Sequence, residues 1–364
     1  MTTFIHTADW QLGKPFAGVE DPQKRSLLQN ERFSVIDRIG DIARQRNAEF
    51  VVVAGDLFDS PSATKSTVSA ACSAIGSIGL PVYAIPGNHD HGGVGCLWEQ
   101  EFFRRERDEL APNFHVLLKA APIELDAAVL FPCPLLRRHD STDPTHWLHS
   151  ASEEWKAFGN KARIVIAHGS VTDFGGFGDD EESDSAAVNL IDLDRFTDSE
   201  FDFIVLGDWH GTKQVGPKAW YAGTPELDRF VKGSDHDPGN ILAVEVTHGQ
   251  LPKVDRITTK NMEWHDLSFT FADDSAIDTI EAFVNQMIGA RANRDLLRLH
   301  LSGSLGIQAS VRLERRIESW TARLIRLKLD DQTTIAPSTE EVEGLTRRSS
   351  DPLMMTLLVV HLDH

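Results

Sequence analysis

The sequence predicts a layered α/β fold. Three observations carry that expectation: short apolar runs recur up to Leu206, helix-compatible segments fill the intervals, and polar motifs, four of them containing glycine, follow five of the six runs. The runs are Phe4–Thr7, Phe50–Ala54, Val82–Ile85, Ala128–Phe131, Ile164–Ala167 and Phe203–Leu206. Each is too short for a buried helix and suits a strand covered on both faces.

Between the first two runs, Val35, Ile36, Ile39, Ile42 and Ala43 recur at helical spacing and make one apolar stripe, as a helix lying on a sheet requires. A second helix is expected over Ser66–Ile78. Arg104, Arg105 and Arg107 fall on a further helical segment, where the plain reading is a solvated basic face. After Leu206 the pattern changes: Trp220–Gly223 and Ile241–His248 read as closing strands, joined by a polar loop that contains Gly233, Pro238 and Gly239. From about Asn261 a different region begins, with a strand at Leu267–Phe271, a helix near Ile277–Ile288, a strand at Leu296–Leu301 and a helix over Ser310–Leu327. In that last helix Leu313, Ile317, Trp320 and Leu324 share a face, while Arg312, Arg315, Arg316, Arg323 and Arg326 lie mostly elsewhere. This basic surface is open to solvent, to nucleic acid or to a partner. The expected division is a catalytic domain over residues 1–258 and a smaller α+β domain over 259–364. A chain of 364 residues has room for both, since domains usually take about 100–200 residues.

Composition narrows the class. Hydrophobic residues at 41% and charged residues at 25% exclude disordered and fibrous chains. A formal net charge of −19 argues against a protein that coats nucleic acid with its own basic surface, because phosphate binding is driven by Lys and Arg. The acid is unevenly spread. Residues 275–364 hold 11 Lys and Arg against 12 Asp and Glu, a balance of −1 that leaves −18 for residues 1–274. Cys72, Cys96 and Cys133 have no CxxC spacing, so neither a disulfide framework nor a structural zinc site is indicated, and a reducing cytoplasm fits best. The start lacks a basic segment followed by an apolar core, and no apolar run nears the ~18–20 residues that span a bilayer; no membrane association is expected. The acidic stretch Gly178–Ser185 reads as a solvated loop and Thr333–Glu343 as an exposed connection.

Five motifs combine oxygen or nitrogen ligands with the carboxyl end of an expected strand, where open α/β sheets place their working loops. They are Asp9-Trp10-Gln11, Gly55-Asp56-Leu57-Phe58-Asp59, Gly87-Asn88-His89-Asp90, Ala167-His168-Gly169 and Gly207-Asp208-Trp209-His210. Singly, a strand-end Asp or His is usually a cap or a turn former. In this order the five resemble the signature of calcineurin-like metallophosphoesterases, which runs DxH, GDxxD, GNHD or GNHE, a lone His, then GHxH. The resemblance spans residues 4–225 and implies a β-sandwich flanked by helices that binds two divalent ions. Such a site needs a carboxylate that bridges both ions and hard or borderline ligands on each side. By resemblance Asp56 is the bridge; Asp9, Gln11 and His210 serve one ion, and Asn88, His168 and Asp208 the other. His89 faces the substrate as general acid, with Asp59 or Asp90 orienting its imidazole, and His6 supports the ligands from behind. The implied chemistry is in-line attack on phosphorus by water that the ions activate.

Two positions depart from the pattern. Gln11 stands where a histidine is expected, and Asp208 stands where the first histidine of GHxH is expected. Replacing two imidazoles by oxygen ligands favours harder ions, so Mn²⁺ or Mg²⁺ is expected rather than Zn²⁺.

Finer context resembles the SbcD/YhaO-like nucleases: His6-Thr7-Ala8-Asp9-Trp10-Gln11-Leu12-Gly13 at the start, Phe203–His210 followed by Trp220–Glu226, and Leu297–Gly303 in the C-terminal region, which resembles their capping domain. That resemblance implies a DNA nuclease, a cap that positions DNA beside the ions, an SMC-like ATPase subunit as partner, and scope for a homodimer. The rival readings are a small-molecule phosphodiesterase or phosphatase, and a degenerate scaffold that binds without cleaving.

Overall fold

Alternation within each apolar run sets the layers. All five residues of Phe50–Ala54 are buried, yet they face two ways. Phe50, Val52 and Ala54 join Phe4, Ile85, Leu130, Ile164 and Val205 in a core between two sheets. Val51 and Val53 join Ile5, Ile36, Ile39, Val68 and Ile75 in a core between the first sheet and two helices. A strand apolar on both faces is what this double coverage demands. The computed structural model describes residues 1–150, 154–172, 188–196, 200–231, 236–337 and 342. The acidic stretch Gly178–Ser185 and part of Thr333–Glu343 lie outside the described residues.

By contacts the chain divides into two compact units, Met1–Met262 and Glu263–His364. In the first unit, one sheet runs in the spatial order Lys253–Thr258, Asn240–Val246, Thr2–Thr7, Phe50–Ala54, Val82–Ile85, Phe114–Val116. The second runs Lys213–Gln214, Ala219–Tyr221, Phe203–Gly207, Ala162–His168, Ala128–Cys133, Ile123–Glu124. Four neighbouring strands of each sheet are parallel, so their carboxyl ends share an edge. Helices Pro22–Gln45 and Lys65–Ile78 cover the outer face of the first sheet. The first helix starts where Asp21 accepts from the Gln23 and Lys24 amides, with Pro22 at the position that needs no donor. The metallophosphoesterase sandwich expected from the sequence is therefore the observed architecture. Among the described residues no helix is long and apolar enough to cross a membrane.

In the second unit Glu263–Phe271, Asp295–Leu305 and Arg326–Asp331 form a parallel sheet, joined by Thr334–Ile335. Helices Ala276–Ile288 and Ile307–Arg323 pack on one of its faces through Ile280, Val284, Leu313 and Trp320. The last helix is shorter than expected. It stops at Arg323, and Leu327 pairs with Leu297 in the sheet, because Leu327 and Leu329 alternate with charges at the strand period, not the helical one. Its basic face is also partly neutralised: Arg312 pairs with Asp278 and Glu281, and Arg316 with Glu281.

His6 lies between the two sheets of the first unit, fully buried. Its Nε2 is 3.0 Å from the Leu206 carbonyl, to which it must donate, and Nδ1 has no partner among the described residues. Burial lowers its pKa to about 3, against a small opposing pull from that carbonyl. The folded protein therefore resists protonating His6 while the unfolded chain accepts a proton near pH 6.5. The stability held above pH 6.5 is lost as pH falls towards 3. Between about pH 7.5 and 5.5 the unfolding free energy should drop by about 1.4 kcal/mol more in the wild type than in His6→Gln; urea titrations of both proteins with chelator present, giving equal slopes against pH, would remove His6 from this role.

Candidate active site

The carboxyl edges of the two sheets bring the five motifs together. Asp9 follows the strand Thr2–Thr7, Asp56 follows Phe50–Ala54, Asn88 and His89 follow Val82–Ile85, His168 ends Ala162–His168, and Asp208 and His210 follow Phe203–Gly207. The loops turn sharply. Asp9, Gln11, Asp56 and Asp208 have φ of 53°, 42°, 53° and 102°, a region that L-residues avoid and that concentrates at functional sites. Two glycines make the approach possible. A Cβ at Gly55 would lie 2.2 Å from His168 Nδ1, and one at Gly87 would lie 2.1 Å from Asp56 Oδ1.

Buried ligand atoms of Asp9, Asp56 and His168 lie within 4.8 Å of one another. His168 Nδ1 donates to the Ala54 carbonyl at 2.7 Å, which turns Nε2 into the site and fixes the tautomer suited to a metal ligand. That Nε2 is 3.0 Å from Asn88 Oδ1, 3.6 Å from Asp56 Oδ1 and 3.7 Å from Asp208 Oδ1. Asp9 accepts from the Asp208 amide at 3.2 and 3.3 Å, and Ser170 Oγ donates to Asp208 Oδ2 at 2.9 Å.

The electrostatics are those of a site that calls for cations. Burial pushes the Asp9 carboxyl up to about 7, with Asp56 and Asp208 adding to the rise and the histidines opposing it. Burial likewise raises Asp208. Burial pulls His168 down, but the Asp56, Asp9 and Asp208 carboxylates overcome it and raise the imidazole to about 9. A buried cluster of like charges is costly unless paired or metal-bound. Asp9, Asp56, Asn88, His168 and Asp208 therefore fit a hard divalent ion in donor type, burial and convergence.

Gln11 and His210 adjoin this cluster, but their ligand atoms are engaged. Gln11 Nε2 is 3.3 Å from His210 Nε2, and Gln11 Oε1 accepts from Lys14 Nζ at 2.5 Å. Lys14 also pairs with Asp228 Oδ2 at 2.8 Å and lies 3.7 Å from Asp59 Oδ1. Asp228 holds His210 Nδ1 at 3.2 Å. Burial alone would raise the Asp228 carboxyl, yet Lys14, His210 and Arg229 hold it well below the usual range.

His89 is placed differently from expectation in one respect. Its Nδ1 is 2.9 Å from the main-chain carbonyl of Asp59, a backbone group that orients the imidazole and that the expected role of the Asp59 or Asp90 carboxylate does not include. The Asp90 carboxylate accepts from the Phe58 amide at 3.0 Å and the Gly87 amide at 2.7 Å. It ties the Asp56 loop to the Asn88 loop, while burial pushes it up to about 7. His89 Nε2 lies 4.0 Å from Asp56 Oδ2, and the His89 amide donates to Asp56 Oδ1 at 2.9 Å.

The family model for calcineurin-like phosphoesterases matches residues 2–237. The chain belongs to that family. Among solved structures, TT1561 of Thermus thermophilus is similar to this phosphoesterase at 10% identity over 71% of this chain and 99% of that one, with a TM-score of 0.43. A second solved structure is similar at 13% identity over 71% of this chain and 98% of that one, with a TM-score of 0.41. As a calcineurin-like phosphoesterase the protein is a metal-dependent hydrolase of phosphoesters, and its buried Asp9, Asp56 and His168 suit the divalent ions that the family binds.

Sequence reasoning missed several residues that build this phosphoesterase site. Arg32, on the buried face of Pro22–Gln45, reaches the carbonyls of Asp9, Trp10 and Glu226. Tyr221 OH donates to Gly169 O at 2.7 Å and accepts from the Val171 amide at 3.0 Å, bracing the loop after His168. Lys14 and Asp228 complete the list.

Proposed function

We propose that this phosphoesterase is a metal-dependent DNA nuclease, exonuclease or endonuclease, of the SbcD/YhaO-like kind, acting in DNA repair or processing. The observation that carries the reading is the rim beside His89. The segment after Ala128–Cys133 lies against the loop after His89, with the Gly92 amide donating to the Leu135 carbonyl at 2.8 Å. There Val94 and Leu136 are exposed at 105% and 48%, and Arg137, Arg138 and His139 are exposed as well. Guanidinium groups next to exposed apolar side chains, on a unit that is otherwise strongly acidic, suit the phosphates and unstacked bases of a polynucleotide.

In this reading Asp9, Gln11 and His210 would hold one ion, Asn88, His168 and Asp208 the other, and Asp56 would serve both; Mn²⁺ is the favoured metal and Mg²⁺ the alternative. Divalent ions held there would supply a lowered pKa for bound water and positive charge for the phosphate oxygens. His89 donates from Nδ1 to the Asp59 carbonyl, so Nε2 is the atom that carries the proton to the leaving oxygen. Asp90 keeps the two loops in register. An SMC-like ATPase subunit supplies the basic surface that an acidic chain lacks, in the cytoplasm, and a homodimer is compatible with the assembly.

Purified protein with Mn²⁺, labelled single- and double-stranded DNA and bis(p-nitrophenyl) phosphate tests the reading, with and without the ATPase. Hydrolysis of the small ester with no DNA cleavage under either condition overturns it. A second reading, a scaffold that binds DNA without cleaving it, is favoured by the engagement of Gln11 with Lys14; it requires that neither substrate be hydrolysed. The rim gives a separate prediction. Reversing charge in the pair Arg137→Glu, Arg138→Glu should weaken single-stranded DNA binding at least about tenfold and lower the salt slope by about 2, with hydrolysis of the small ester retained. Unchanged DNA affinity, measured by fluorescence anisotropy across a salt series, would dismiss the rim.

A further inference from the structure

Lys14 is not a metal ligand, yet it reaches the ligands of the first metal position. Its ammonium, on a side chain 18% exposed, meets Gln11 Oε1 at 2.5 Å and Asp228 Oδ2 at 2.8 Å. Gln11 is 1% exposed and Asp228 6%, so both contacts are sheltered from water. An ammonium can only donate, and this fixes which way round the Gln11 amide sits. With Oε1 turned to Lys14, the amide nitrogen faces His210 Nε2 at 3.3 Å. His210 Nδ1 faces the Asp228 carboxylate at 3.2 Å, which accepts only, so Nδ1 carries the ring proton and Nε2 is the atom with a free lone pair. The Gln11 amide proton occupies that lone pair. Two ligand atoms of one position, the Gln11 oxygen and the His210 nitrogen, are thus engaged through a single cation.

We propose that Lys14 is a positioning residue that makes the two metal positions unequal: it holds the Gln11 amide in the orientation that caps His210, so an ion enters the first position only by competing with Lys14. The inference rests on the assignment of Asp9, Gln11 and His210 to that position. Turning the amide over would present Oε1 on the side of His210 Nε2, giving both ligand atoms to one ion, and Lys14 opposes that turn. Its positive charge also repels a divalent ion over a short, poorly screened distance. Asp228 has two functions in this arrangement, orienting His210 and anchoring Lys14.

The test is a Mn²⁺ binding isotherm on the full chain, read by the EPR signal of free Mn²⁺ and by calorimetry, for wild type, Lys14→Met and Lys14→Gln. Wild type should bind one ion tightly and a second at least about tenfold more weakly, and both variants should tighten the second ion at least about tenfold while leaving the first unchanged. Two equivalent ions in the wild type overturn the proposal without reference to any variant, so it stays open to refutation if a variant does not fold. A second ion that is unchanged or weaker in both variants also overturns it, by showing that Lys14 supports the position. Failure of every protein to bind Mn²⁺ removes the metal assignment itself, and a failed DNA cleavage assay leaves the isotherm untouched.

Discussion

Asp56→Asn should lose divalent-metal binding and phosphoester hydrolysis together, whereas His89→Ala should keep its metal content and lose about 10²–10⁴-fold in kcat. The two side chains are neighbours: the His89 amide donates to Asp56 Oδ1 at 2.9 Å, and the ring Nε2 is 4.0 Å from Oδ2. Their chemistry separates them. Asp56 is almost fully buried among Asp9 and His168 and offers oxygen to a cation at the centre of the site. His89 is fixed through Nδ1 by the Asp59 carbonyl and keeps Nε2 no nearer than 4.0 Å to Asp56 Oδ2, on a side chain 19% exposed. Asparagine is the informative replacement at Asp56 because φ there is 53°, which Asn tolerates and Ala resists by roughly 1 kcal/mol. Metal content after gel filtration and turnover of bis(p-nitrophenyl) phosphate read the two effects. Equal metal loss in both variants would show that His89 is a ligand, not an acid.

What is legible in the sequence follows from what is local. Runs such as Phe50–Ala54 and Ile164–Ala167 are buried on both faces, so an unbroken apolar stretch marks them. An edge strand such as Lys253–Thr258 escapes notice because none of its residues is fully buried, so no apolar run marks it, and its pairing is a property of the partner strand Asn240–Val246. The motif residues at the strand ends are legible because Asp56, Asn88, His168 and Asp208 each stand next to a glycine, Gly55, Gly87, Gly169 and Gly207. The network around Gln11 is not, because it joins residues far apart in the chain: Lys14 with Asp228, and Asp228 with His210. Asp59 draws attention for its carboxylate, but its main-chain carbonyl also meets His89 Nδ1, a contact that no residue type announces. Arg32 does leave a trace. It falls in phase with Leu28, Val35, Ile36 and Ile39 on the apolar stripe, and a guanidinium at such a position requires several carbonyl partners.

Those partners make Arg32 the residue whose loss should damage the fold of the site most. Its Nε donates to Trp10 O at 2.8 Å, one terminal nitrogen to Glu226 O at 2.6 Å, and the other to Asp9 O at 2.8 Å and Thr224 Oγ1 at 3.1 Å. The side chain is 1% exposed, so none of these acceptors can turn to water when the guanidinium is removed. Burial lowers the Arg32 pKa, and the carboxylates of Asp228, Glu226, Asp59 and Asp9 counter it, which keeps the cation charged inside. Arg32→Met fills the volume but strands the carbonyls, at a cost of about 3–5 kcal/mol in unfolding free energy. Arg32→Lys retains the charge, yet a point donor cannot span three carbonyls on two loops, so it should recover only part of the loss. Metal affinity should fall with stability, because Arg32 grips the carbonyl of Asp9, whose φ of 53° persists only while its surroundings hold it. Urea unfolding with chelator present measures the first effect and Mn²⁺ titration the second. If Arg32→Met unfolds within about 1 kcal/mol of the wild type, the clamp is not what holds the Asp9 loop, and Thr224 Oγ1, 2.9 Å from the same carbonyl, holds it together with the Asp9 amide on the Gly55 carbonyl and the Gln11 amide on the Asp56 carbonyl.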